Sequence, residues 1–289
     1  MGRILHRREA LAALAGLAAW APYAFAEDEP GGPIKFGLTP VFLANDLELL
    51  AALKGYLQAA TGRPVQLVLR RTYQEITALL VSGQLDAAWI CGYPYVVHQD
   101  QLALVAVPVW RGQPLYQSYV ICAASRPATS FDELEGDIHA FSDPDSNSGY
   151  LVTSALLAER GLRPDRFFRK TFFTYGHRNV VRAVAAGLAG SGSVDGYVWE
   201  VMREIEPALT AQTRIIRRSE WLGFPPIACS RERRNEDSVE RLARAFDTMA
   251  ASEQGRNVLH LLRLDGFQQS TSSLFRPIAV KLEQIRSLG

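Results

Sequence analysis

The chain has 289 residues with 31 basic and 30 acidic side chains, a formal charge of +1. Charges of both signs are interspersed along it, so there is no electrostatic footprint for nucleic acid or an anionic membrane, and any anion selectivity has to come from local donors. Cys91, Cys122 and Cys229 include no CxxC pair and the five histidines are scattered, which argues against a structural zinc site; no metal or cofactor is expected.

The first segment, MGRILHRREALAALAGLAAWAPYAFAEDE, has a basic start, an apolar run from Ala10 to Ala21 and a small-x-small site at Ala24-Phe25-Ala26. That layout predicts an export signal over residues 1–26, cleaved near Ala26, and Arg7-Arg8 ahead of the apolar run adds a hint of the twin-arginine type. The apolar run is too short for a transmembrane helix, and no later stretch is long enough. Cleavage removes Arg3, Arg7, Arg8 and Glu9 with 26 of the 289 residues. The remaining 263 carry a charge of about −1, enough chain for one or two domains with a sizeable core.

After a flexible lead-in at Glu27–Pro33, strands and helices alternate: IKFGL, a helix over Asp46–Thr61, VQLVL, a helix over Thr72–Ser82, then AAWI. This βαβαβ rhythm with short turns predicts a mostly parallel α/β sheet with helices on both faces. The strands LVAVPVW and SYVICAA follow, then a helix at Phe131–Glu135 and the strand DIHAFS. Next come a helix over Leu151–Arg160, KTFFTY, the helix HRNVVRAVAAG, the strand VDGYVW and the helix EVMREIEPAL. TRIIRRS and PPIACSRE read as closing strands, and the tail from Ser238 as two or three amphipathic helices. The rhythm fits two α/β lobes better than one long sheet.

The stretch SDPDSNSGYLVTSALLAERGL carries the most chemistry. Gly161 sits where a left-handed C-cap belongs and Pro164 lies just beyond, so the helix begins near Ser146–Gly149. A helix start has backbone N–H groups without helical partners, and hydroxyls plus a glycine let an anion approach them; an ordinary Ser/Asn cap is the plainer reading. Thr39, Tyr93, Tyr95, Ser146, Asn147, Ser148, Gly149, His177, Asp195 and Tyr197 all fall at or near predicted strand ends, where crevices form in such sheets. Tyr93, Tyr95 and Tyr116 can donate O–H groups while their rings wall off water.

The order of these segments resembles the phosphate/phosphite/phosphonate-binding proteins of ABC transporters. The resemblance rests on IKFGLTP, YLQAATGRPVQL, TYQEITALLVSGQLDAAWICGYPYV, YQSYVICAASR, the DPDSNSGY turn, GHRNVVRAVAAG, SVDGYVWE and LLRLDGF…LFRPIAVKL, and it covers nearly all of residues 34–288. It implies a type II periplasmic-binding-protein (Venus flytrap) fold with a mixed sheet in each lobe and two crossovers. Lobe I would comprise 34–112 and 226–289, and lobe II 113–225. In the family the Ser/Thr-rich turn before the lobe II helix grips the ligand's oxyanion; Asn147 departs from that pattern by replacing a hydroxyl with an amide. The resemblance further implies a monomeric periplasmic protein that holds a small oxyanion (phosphonate, phosphite or phosphate) for an inner-membrane ABC permease. It also places Cys122 and Cys229 on crossing strands, where a disulfide is one outcome and buried free thiols the other.

Two alternatives remain at this level. The same fold could take another small organic ion or present its ligand to a membrane sensor. Ser148, His177 and Asp195 could also be cast as a hydrolase triad. Against that triad, the G-x-S-x-G elbow is absent and the order Ser–His–Asp differs from the α/β-hydrolase order.

Overall fold

In the computed structural model, described over residues 32–40 and 47–288, the strands are β1 (Ile34–Leu38), β2 (Val65–Leu69), β3 (Ala87–Trp89), β4 (Leu102–Val109), β5 (Leu115–Tyr116), β6 (Ser118–Ala123), β7 (Ile138–Phe141), β8 (Lys170–Phe173), β9 (Ser191–Asp195), β10 (Thr213–Arg218), β11 (Leu222–Gly223), β12 (Ile227–Ser230) and β13 (Gly266–Gln268). The export signal expected over residues 1–26 lies outside the described residues.

The strands form a six-stranded sheet in the order β13-β4-β12-β3-β1-β2 and a five-stranded sheet in the order β10-β6-β9-β7-β8. Each has a parallel core: β2, β1 and β3 in the first, β8, β7 and β9 in the second. Antiparallel strands complete both, β12, β4 and β13 in one and β6 and β10 in the other. The chain passes between the sheets twice, through β5 and β11, which pair with each other. The fold is therefore mixed α/β with two mixed sheets.

Strand burial follows from this layering. All residues of β1 except Lys35 are buried, as a parallel strand covered on both faces requires. One hydrophobic cluster runs through both sheets and includes Phe36, Trp89, Ile121 and Val194. A smaller one gathers Phe131, Phe141, Phe167 and Phe168. The helix Tyr73–Val81 starts with a capping box: Thr72 Oγ1 accepts from the Glu75 N–H, and the Glu75 carboxylate accepts from the Thr72 N–H.

Local readings change in four places. The strand expected at VDGYVW ends at Asp195, and Gly196–Ile205 is helical, because the Asp195 carboxylate accepts from the Val198 N–H and caps that helix. Residues Gly92–Val97 form a helix that the alternation does not announce, and β13 adds a strand among the C-terminal helices. The helix expected over Phe131–Glu135 contracts to a single 3₁₀ turn, Asp132–Leu134. Gly161, by contrast, adopts φ +69°, the left-handed C-cap expected of it.

All three cysteines are free and buried. Cys122 lies in β6 of the five-stranded sheet and Cys229 in β12 of the six-stranded one, so they are not on neighbouring strands and form no bridge. Denatured without reductant, the protein should present three reactive thiols to a thiol-counting reagent. A count of one would contradict this arrangement.

Candidate functional site

The carboxyl ends of the parallel strands supply the candidate residues. In the six-stranded sheet, β1 leads to Thr39, β2 leads to Tyr73 and β3 leads to Cys91, the N-cap of the Gly92–Val97 helix. In the five-stranded sheet, β7 leads to Ser142 and Asp143, β8 leads to His177 and β9 ends at Asp195. Hydrogen bonds join the two groups. Asp143 Oδ2 accepts from the Tyr73 N–H at 3.3 Å, Tyr73 Oη lies 3.2 Å from His177 Nε2, and Cys91 Sγ accepts from the Asn147 N–H at 3.2 Å.

At the centre is the turn Ser146–Gly149. Ser146 Oγ accepts from the Gly149 N–H at 3.0 Å, so Ser146 fills the plain capping role. Asn147–Leu151 then form one π-helical turn before the α-helix Val152–Ala158, a distortion often found at functional sites. Ser118 Oγ donates to the Ser148 carbonyl at 2.6 Å and steadies the turn from β6. The Ser148 N–H has no acceptor among the described residues, which leaves one orphan donor of the helix start. Gly149 is required here because a Cβ would lie 1.8 Å from Ser142 Oγ and 3.0 Å from His177 Cε1.

Electrostatically the site is built from neutral donors. Burial lowers the His177 imidazole to about 3. Its Nδ1 accepts from the Asp195 N–H at 3.0 Å, so the ring proton sits on Nε2, which donates to Tyr73 Oη. The Tyr73 hydroxyl proton is then left for another acceptor. Burial pushes the Tyr73 and Tyr116 hydroxyls well above the usual phenol range and the Cys91 thiol up to about 12, so all three are protonated. Burial also raises Asp195 to about 7, against the Val198 and Tyr197 N–H groups that favour its charged form. A carboxyl near that value is only partly ionised at neutral pH, so it repels an anion less than an ordinary aspartate would.

Of the residues expected in the cleft, Ser146, Asn147, Ser148, Gly149, His177 and Asp195 cluster as described. Tyr116 joins them, accepting from Asn147 Nδ2 at 2.8 Å. Tyr93 is half-buried and packs against Tyr73 and Cys91. Thr39 is buried, with both its N–H and its hydroxyl donating to the Trp89 carbonyl. Tyr95 and Tyr197 go elsewhere. The Tyr95 ring packs on Phe275 at 4.8 Å, and the Tyr197 hydroxyl donates to the Leu262 carbonyl while its ring lies between Trp110 and Phe224. The Tyr197 hydroxyl is thereby bonded away from the turn.

Sequence reasoning missed Tyr73, Cys91, Ser142 and Asp143. Tyr73 follows a strand and opens a helix, the same placement that singled out His177, so it was within reach of that rule. The sequence around Cys91 speaks only to metal chemistry, through the missing CxxC pair. No triad forms from Ser148, His177 and Asp195, since His177 bonds the Asp195 backbone rather than its carboxylate, and its other nitrogen faces Tyr73.

Two mixed sheets joined by a double crossover, with candidate residues at facing strand ends, define the type II periplasmic-binding-protein class. Solved structures agree. A binding-protein component of an ABC phosphonate transporter from Pseudomonas aeruginosa superposes with a TM-score of 0.80 at 21% identity, covering 89% of each chain. PhnD1 from Prochlorococcus marinus, solved with methylphosphonate, gives 0.77 at 17% identity, covering 87% of this chain and 98% of that one. The alkanesulfonate-binding protein SsuA from Xanthomonas axonopodis, bound to MOPS, gives 0.61 at 14% identity over 90% and 94%. A family model described as "ABC transporter, phosphonate, periplasmic substrate-binding protein" matches residues 36–275, and the chain belongs to that family. Its members are periplasmic solute-binding proteins of ABC importers, not enzymes. No helix among the described residues is long and apolar enough to cross a membrane.

Proposed function

We propose that the protein captures a small phosphorus oxyanion (a phosphonate, phosphite or phosphate) between its two sheets and delivers it, as a monomer, to an inner-membrane ABC permease. The export signal would be cleaved near Ala26. Residues 34–112 with 226–289, and residues 113–225, would move as the two lobes. The ligand would favour the closed state by touching both: Tyr73 and Tyr93 from the first, Ser142, Ser146–Gly149, His177 and Asp195 from the second, with Tyr116 in the crossover strand β5.

One observation carries this reading. The Ser148 N–H and the Tyr73 hydroxyl proton come from different sheets, are both buried, and both have no acceptor of their own among the described residues. Oriented neutral donors suit a tetrahedral anion without a cationic side chain.

Titration calorimetry with methylphosphonate, phosphite and phosphate tests the proposal. Each lost charge-assisted hydrogen bond should cost roughly 1.5–3 kcal/mol, so Tyr73→Phe, which removes the side-chain member of this donor pair, should weaken binding on the order of tenfold or more with the fold intact. Unchanged affinity in that variant would count against the site.

A further inference from the structure

The Asn147 carboxamide is the part of the site that neutral anion donors do not explain. Asn147 is 0% exposed, and both of its nitrogens have a partner: the N–H donates to Cys91 Sγ and Nδ2 to Tyr116 Oη. Its Oδ1 is buried with no hydrogen-bond partner. A carbonyl oxygen in that state needs a donor, and leaving it unmet carries a desolvation penalty. Ser142 Oγ, packed against Gly149, is likewise buried and unpartnered. The turn therefore has two kinds of unfilled valence: donors in the Ser148 N–H and the Ser142 hydroxyl, and an acceptor in Asn147 Oδ1.

An anion that fills both must accept at some oxygens and donate at another. A monoprotonated phosphorus oxyanion does this, because one P–O–H remains on a group that is still negatively charged. Sulfonates and sulfate, fully ionised at neutral pH, have the same tetrahedral shape and no proton to give. Against Asn147 Oδ1 they would set an anionic oxygen beside a carbonyl oxygen, and a site that leaves a buried polar group facing the wrong partner rejects it strongly.

We infer that Asn147 Oδ1 is a specificity-determining acceptor that reads the P–O–H proton and excludes sulfonates. This rests on the phosphorus-oxyanion reading above and narrows it. A serine or threonine hydroxyl at this position could rotate to donate or accept and would discriminate less. Tyr116 Oη accepts from Nδ2, and in that orientation Oδ1 points away from the phenol.

Methylphosphonate and methanesulfonate, matched in size and differing in that proton, give the test by titration calorimetry near neutral pH. The expected result for the wild-type protein is methylphosphonate binding about 100-fold or more tighter than methanesulfonate. In Asn147→Ser that ratio should shrink about tenfold, mainly by a gain in sulfonate binding. Tyr116→Phe, which releases the carboxamide to turn its NH₂ inward, should shrink it in the same direction and serves if Asn147→Ser fails to fold. Methanesulfonate binding within tenfold of methylphosphonate in the wild type, or a ratio unmoved in a folded variant, overturns the assignment to Asn147 while leaving phosphonate capture intact. Binding of neither ligand by the folded wild-type protein overturns the phosphonate reading itself.

Discussion

Gly149→Ala is expected to abolish high-affinity oxyanion binding, with a loss exceeding that of Tyr73→Phe. The added methyl would lie 1.8 Å from Ser142 Oγ, 2.7 Å from Ser142 Cβ and 3.0 Å from His177 Cε1. Neither neighbour can step aside cheaply. Ser142 is fully buried and its N–H donates to the Gly149 carbonyl at 3.2 Å, while His177 is held by the Asp195 N–H and by Tyr73. Overpacking of this kind costs about 1–3 kcal/mol or more in stability, and the turn relieves it only by shifting the Ser148 N–H. A loss of about 100-fold in affinity follows from displacing several donors together. Calorimetry with methylphosphonate, alongside circular dichroism to confirm folding, checks this. Gly55→Ala is the control, since nothing lies within 4 Å of a Cβ there and alanine suits the helix Leu47–Thr61 better. A Gly149→Ala protein binding as tightly as the control would contradict the packing argument.

The second large effect is on stability against acid. Burial lowers both His139 and His177 to about 3 from an ordinary value of 6.5. Between those limits the unfolded chain binds a proton at each histidine and the folded chain does not, so stability falls as pH drops below 6.5. Asp195 works in the opposite sense. Its folded value of about 7 exceeds the unfolded 3.8, so it adds stability at low pH that is lost as pH rises toward 7. From about pH 4 to 6.5 the histidines contribute two protons and Asp195 removes one. The net slope from these groups is about 1.4 kcal/mol of stability lost per pH unit of acidification. Urea unfolding of the ligand-free protein at pH 4.5, 5.5 and 6.5 measures it. His139→Asn should flatten the slope, because His139 lies fully buried between the hydroxyls of Ser191 and Ser193 at 2.8 Å each and titrates only on unfolding. A slope of opposite sign in the wild type would show that other groups dominate.

Much of this was legible in the residues, where local chemistry decides the outcome. Gly161 and Pro164 marked the end of one helix, and the Ser/Asn/Gly run marked the helix start that carries the orphan N–H. The rest depends on what meets across the sheets. Nothing local to Tyr73 says that its hydroxyl reaches His177, 104 residues away, or that Cys91 accepts from Asn147 rather than pairing with another thiol. Tyr197 misled for the same reason: a tyrosine after a strand end resembles a cleft residue until its hydroxyl is seen bonded to Leu262 in the C-terminal part of the chain. VDGYVW reads as a strand by propensity, yet Asp195 supplies a cap that starts a helix within it.

A crystal structure grown with methylphosphonate tests the central claim most directly. The phosphonate group should lie within hydrogen-bond distance of both the Ser148 N–H and Tyr73 Oη, with no lysine or arginine touching it. Density for the ligand outside the space between these two groups, or held there by a guanidinium or ammonium, would contradict capture by neutral donors from the two sheets.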